Sequence, residues 1–97
     1  MNKVIILGKI IDIQYKLVDV GKIYAIAFIN LKLNKSKNAI KIMCKNDIAD
    51  NIYRKFINGM EILIEGNLQM TKKGIIVNAN YVEKVFEKYG EMDKKPI

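Results

Sequence analysis

Apolar and polar residues alternate with a period of two along most of this chain, and the period changes once. The alternation is clearest from Ile23 to Lys35, where Ala25, Ala27, Ile29, Leu31 and Leu33 fall on one side and Tyr24, Ile26, Phe28, Asn30 and Lys32 on the other. That pattern predicts a strand with one face on a core. A strand over Asn2–Lys16 precedes it. There Val4, Ile6 and Gly8 face one way and Lys3, Ile5 and Leu7 the other, so both faces are expected to be covered, one by the core and one by a partner. Gly8 marks a bend or a close approach of another backbone. Asp12, Gln14 and Lys16 alternate with Ile11, Ile13 and Tyr15, and Asp19 and Gly21 punctuate a turn over Leu17–Lys22. A basic hairpin loop, Asn34–Asn38, leads into a third strand, Ala39–Lys45, with Ile40, Ile42 and Cys44 opposed to Lys41, Met43 and Lys45.

At Asn46 or Asp47 the period lengthens. Ile48, Ala49, Ile52 and Phe56 form an apolar stripe at helical spacing. An Asp here caps free backbone N–H groups, and Asp47 and Asp50 suit the positive end of the helix dipole as Arg54 and Lys55 suit its negative end. Asn58-Gly59 stops the helix. Tyr53 and Phe56 are expected to pack. Alternation then resumes. A fourth strand covers about Met60–Met70, with Ile62, Ile64 and Leu68 toward the core and Gly66 as a place for a bulge. Thr71-Lys72-Lys73-Gly74 is a tight basic turn. A fifth strand covers about Ile75–Val85, with Val77, Ala79 and Tyr81 on one face. Residues 86–97 form a short polar tail in which Phe86 and Tyr89 are possible docking points.

Three strands, a short helix and two more strands make the element order of an OB-fold: an all-β, five-stranded barrel over residues 1–85 with one helix between strands three and four. Such barrels mostly bind single-stranded nucleic acid or oligosaccharides. Charge favours the former. The formal net charge is +7, with 17 Lys and Arg against 10 Asp and Glu, and residues 83–97 contribute nothing to it. The absence of histidine removes the usual general base and the commonest metal ligand. The single Cys44 makes neither an internal disulfide nor a zinc site, so a reducing, cytoplasmic setting is expected, with no cofactor. No apolar run approaches the roughly 18 residues of a membrane span, no membrane association is expected, and the acids show no pairing suited to catalysis. A chain of 97 residues buries only about 60–65% of its unfolded surface, which makes association with copies of itself an expectation.

Several strings resemble the bacterial single-stranded DNA-binding protein family. Asn2-Lys3-Val4-Ile5-Ile6-Leu7-Gly8 is similar to its opening strand. Ala25-Ile26-Ala27 with Ile29 and Leu31 resembles its second, and Ile42-Met43-Cys44 followed by Ile48-Ala49-Asp50 its third strand and helix start. Gly59 and then Ile62, Ile64, Glu65, Gly66 and Leu68 resemble its fourth strand, and Asn78-Ala79-Asn80-Tyr81-Val82 fits its last. The resemblance covers about residues 1–85. It implies a dimer or tetramer, paired with the help of strand one, that binds single-stranded DNA without sequence preference in replication, repair or recombination. Lysines would track phosphates and aromatic rings would stack on bases. In layout the chain is similar to the small primosomal OB proteins.

The chain also departs from the family. The family's aromatic positions align with Ala39, Lys45 and Lys73, there is no Trp, and the loops after strands two and four are short. Weaker, more salt-sensitive binding follows. The chain shows no acidic C-terminal cluster of the kind that recruits partners. The residues expected to touch nucleic acid are Lys9, Lys32, Lys35, Lys37, Lys41, Lys45, Lys72 and Lys73, with Tyr15, Tyr24 and Phe28 as candidate stackers. For Tyr24 and Phe28, cover for a neighbouring subunit or loop is the first reading and stacking the second. A protein-interaction OB domain that has lost nucleic-acid binding is the alternative, favoured by the missing aromatics and opposed by the charge.

Overall fold

The computed structural model describes residues 2–33 and 37–85. Its elements run β1 (Lys3–Val20), β2 (Ile23–Leu33), β3 (Ala39–Lys45), α1 (Asn46–Lys55), β4 (Glu61–Thr71) and β5 (Gly74–Lys84). They close a barrel in the order β1-β2-β3-β5-β4. The 18-residue β1 makes this closure possible because it serves two neighbours. Its first part pairs antiparallel with β4 from Lys3↔Asn67 to Lys9↔Glu61, and the rest pairs with β2 from Gly8↔Leu33 to Val20↔Ile23. The seam between β3 and β5 is parallel and spans Ile42↔Val77 and Met43↔Asn78.

Side-chain alternation fills this barrel. Ile10, Ile29, Leu31, Ile42, Ile62, Ile64 and Val77 point inward and are buried almost completely. Helix α1 closes one end with Ala49 and Ile52, joined by Phe56 just past its last turn, all three buried. Two glycines sit where backbones touch. A Cβ at Gly8 would lie 2.7 Å from the Lys32 carbonyl oxygen, and one at Gly66 only 2.0 Å from that of Asn78.

Several expectations are corrected. β1 runs on to Val20 because residues 17–20 keep pairing with β2, and β2 ends at Leu33. Asp47 does not cap α1. Lys45 holds the N-cap position without a side-chain bond. Asn46, in the left-handed region at φ 53°, instead turns its amide back to the β1–β2 turn. It accepts from the Tyr24 N–H at 2.8 Å and donates to the Lys22 carbonyl at 3.1 Å. The helix ends at Lys55, ahead of Asn58-Gly59, with Phe56 already extended. Tyr81 lies on the outer face, not with Val77 and Ala79, because the register shifts where Glu65↔Tyr81 gives way to Gly66↔Ala79 and Asn80 becomes the extra residue. Beyond this bulge Leu68 stands 43% exposed at the barrel mouth rather than in the core. The polar tail at 86–97, with Phe86 and Tyr89, lies outside the described residues.

Candidate functional site

Pairing across β1, β2 and β3 assembles one outer face in rows. Gln14, Phe28 and Met43 form its middle row, and Asn78 of β5 continues it. On one side lies the row Lys16, Ile26, Lys45; on the other lie Asp12, Asn30, Lys41 and then Lys9, Lys32, Ala39. Phe28 is thus ringed by lysines. The Lys41 ammonium stands 5.1 Å from its ring centroid, a cation–π contact. Lys9 and Lys32 are direct cross-strand partners, a like-charge arrangement that costs a sheet a few tenths to about 1 kcal/mol. Among the described residues the ion pair is Lys3–Glu65 at 2.9 Å, on the far side of the barrel, so the lysines of this face form no ion pair there, although Glu61 neighbours Lys9 in the register of β4.

A groove of about 430 Å³ continues the face over the barrel mouth, between the start of β3 and the β4–β5 hairpin. Ile40, Leu68, Ile75 and Val77 form its apolar floor, with Lys41 and Lys73 at the rim. The hairpin tip is shaped by Thr71, whose hydroxyl donates to the Gly74 carbonyl at 2.7 Å and accepts from the Lys73 N–H at 3.2 Å. A larger hollow of about 600 Å³ lies elsewhere, between α1 and β5. Asp47 and Asp50 share it with Arg54 and Lys55, so it does not attract a polyanion as the lysine face does.

Two of the candidate aromatics are engaged with α1. Tyr15 belongs to the inward row of β1, where its ring stacks on Tyr53 with centroids 4.3 Å apart and its hydroxyl donates to Asp50 at 2.5 Å. That hydrogen bond raises the Tyr15 pKa. Tyr24 lies at the helix end of the β2 outer row, 42% exposed, and its hydroxyl donates to the Asp47 carboxylate. This bond pushes the Tyr24 pKa up to about 12. The Cys44 thiol is also pushed up to about 12, in its case by burial, and is unreactive there.

No protein-family model and no curated protein matches the sequence. Solved structures do match the barrel. The SSB domain of a Synechococcus protein superposes with a TM-score of 0.76 at 14% identity, covering 86% of this chain and 94% of that one. The single-stranded DNA-binding protein of Thermus aquaticus gives 0.76 at 18% identity over 90% of this chain. The chain spans only 41% of the Thermus protein's length. The S. pombe Stn1-Ten1 complex gives 0.71 at 12% identity, covering 96% of this chain and 65% of that one. The barrel is an OB-fold.

Within this OB-fold the predicted residues separate into groups. Lys9, Phe28, Lys32, Lys41 and Lys45 share the outer face, and Lys73 joins them across the groove. Lys72 is exposed at the hairpin tip beside it, and Lys37 is exposed in the β2–β3 connection. Lys35 lies outside the described residues. Tyr15 is not on the face, and Tyr24 stands at its edge. Sequence reasoning passed over Lys16, Ile26 and Met43, although the period that selected Lys41 and Phe28 also selects them. It had no means of finding the groove, whose walls come from β3 and a hairpin more than twenty residues later.

Proposed function

We propose that this chain binds single-stranded DNA through the lysine-ringed face of β1, β2 and β3 and the adjoining groove, as an accessory protein of replication, repair or recombination. One observation carries the reading. Lys9, Lys16, Lys32, Lys41 and Lys45 are gathered on one face of the barrel without an ion pair among the described residues, around the half-buried aromatic Phe28. Glu61 stands beside Lys9 on β4, but Lys32, Lys41 and Lys45 have no acid opposite them in the sheet, and a polyanion neutralises all four lysines. The structural neighbour from Thermus aquaticus is a single-stranded DNA-binding protein, which agrees with this reading. Binding is noncovalent and largely tolerant of sequence. Phosphates lie along the lysines, and bases pack on Phe28, Met43 and the aliphatic groove. With one ring in place of several, affinity rests more on charge than on stacking.

The outer face of β1, β4 and β5 has a different character. Ile5 and Leu7 are 64% and 49% exposed. Their register places them beside Glu65 and Leu63, with Tyr81 and Glu83 next in the sheet. This apolar stripe edged by Glu61, Glu65 and Glu83 suits another copy of the chain, and it leaves the lysine face free.

The decisive experiment is fluorescence anisotropy of a labelled mixed-sequence single strand over a salt series, with its duplex as competitor. The single strand is expected to bind in preference. The slope of log K against log salt should be about −4, from roughly 0.7 per lysine contact on a single strand for six contacts. Phe28→Ala should cost about 1–3 kcal/mol of affinity. Absence of binding at low salt would overturn the reading.

A further inference from the structure

On the β1 and β2 part of the lysine face three polar side chains carry no positive charge and have no partner among the described residues. Gln14 is the direct cross-strand partner of Phe28, Asn30 stands two residues along β2, and Asp12 is the direct partner of Asn30. None of the three hydrogen-bonds or pairs with another described residue. Tyr15, Tyr24, Asn46 and Thr71 all satisfy their polar groups internally. Gln14 and Asp12 lie within about 8 Å of Phe28 by sheet geometry, one opposite it and one on the diagonal. A base packed on that ring therefore has its edge over these three groups.

Asp12 decides what that base is. The register shift between Ile10 and Asp12 sets it, half-buried, on the outer face. A carboxylate only accepts hydrogen bonds, and it repels a phosphate. What sits above it must offer a donor. Cytosine presents its N4 amino group, adenine its N6 and guanine its N2, whereas thymine has no amino group and presents O4, an acceptor, where cytosine has N4. The amides of Gln14 and Asn30 add a donor and an acceptor each, a pairing suited to adenine N6 and N7. We propose that Asp12, Gln14 and Asn30 read the edge of the base stacked on Phe28 and favour bases with an exocyclic amino group, cytosine, adenine and guanine, over thymine and uracil. This rests on the single-strand-binding reading above and adds a modest preference to it.

The test is competition of unlabelled oligo-dC, oligo-dA and oligo-dT of equal length, and of an abasic oligomer, against a labelled mixed-sequence strand at fixed salt. It is run on the wild-type chain and on Asp12→Asn, with circular dichroism confirming that both are folded. Results are read as ratios within each protein, so the general gain from removing a negative charge cancels. In the wild type, oligo-dC and oligo-dA should compete about five- to tenfold better than oligo-dT, the lower range for one good base pairing. Asp12→Asn should bring the dC to dT ratio close to one, because its amide donates to thymine O4. Equal competition by all bases, or a preference for dT, in the wild-type chain overturns the proposal while leaving single-strand binding in place, and does so whatever the variant's folding. Binding of the labelled strand that no oligomer displaces, or no binding at all, removes the broader reading and the proposal together.

Discussion

Tyr24 and Phe28 lie four residues apart on the same side of β2, yet they do different things. Tyr24 has a hydroxyl, and Asp47 takes it. Phe28 has none, and its ring stays beside Lys41. Ionising Tyr24 would break the bond to Asp47 and set two negative charges together, so the proton is held more tightly in the folded chain, with a pKa near 12 against an ordinary value of 10.0. A group with a raised folded pKa contributes its stability in full below its unfolded value. That contribution is lost as pH climbs from about 10 to about 12. Tyrosinate absorbance should therefore show a late component near pH 12 that returns toward 10 in Asp47→Ala. If the late component survives that substitution, the bond is not its cause. The opposed fates of the two aromatics were not legible in the sequence. The partners of Tyr15 and Tyr24 lie 35 and 23 residues away on a helix, and a local period carries no information about them. The fate of Tyr15 was half-legible, since it falls in the same row as Ile11 and Ile13.

At the scale of elements, β2 and β3 were legible almost residue by residue, because strict alternation with one buried face fixes their register. β5 was legible only as far as Ala79. Its bulge residue Asn80 turns Tyr81 outward, and nothing in the alternation of this strand announces an added residue. The cause sits on the neighbouring strand. At Gly66 a Cβ would collide with the Asn78 carbonyl, so the two backbones approach there as no other residue type permits, and the strand bends. Gly66→Ala should destabilise the barrel by about 1–3 kcal/mol, the usual cost of forcing atoms into a packed site, read as a lower midpoint in urea. Gly21→Ala is the contrast. Its added methyl meets no atom within 4 Å, although its φ of 60° imposes a smaller strain. Similar midpoints for the two variants would show that the close approach at Gly66 is relieved at no cost. In the element joining β3 to β4, Ile52→Ala should cost about 2–5 kcal/mol by opening a cavity beneath the helix, checked by the same denaturation.

For the whole molecule, the two sides of the barrel call for separate measurements. Replacing Ile5 and Leu7 together with Lys should shift sedimentation toward the monomer while the intrinsic affinity of one barrel for a short oligomer stays close to that of the parent. Unchanged sedimentation would remove this stripe from the association surface. The charge total pointed to a polyanion from the outset, but only the closed barrel shows where the charge goes. Lysines of β1, β2 and β3 converge from separate strands, Glu65 and Glu83 lie on the side of β4 and β5, and Glu61 stands beside Lys9 where the two faces meet.

The barrel closes through the two parallel pairs between β3 and β5, and parallel pairing is the less stable kind. That makes this joint the clasp of the molecule, the place where the ring parts first when it breathes. The face and the groove straddle it, with Lys41 and Ile40 on one bank and Lys73 and Ile75 on the other. A strand of DNA laid across both banks would fasten the clasp from outside. Amide exchange at Met43 and Asn78 should slow on binding more than at core positions of β2, so the ligand finishes a closure that the chain itself leaves light.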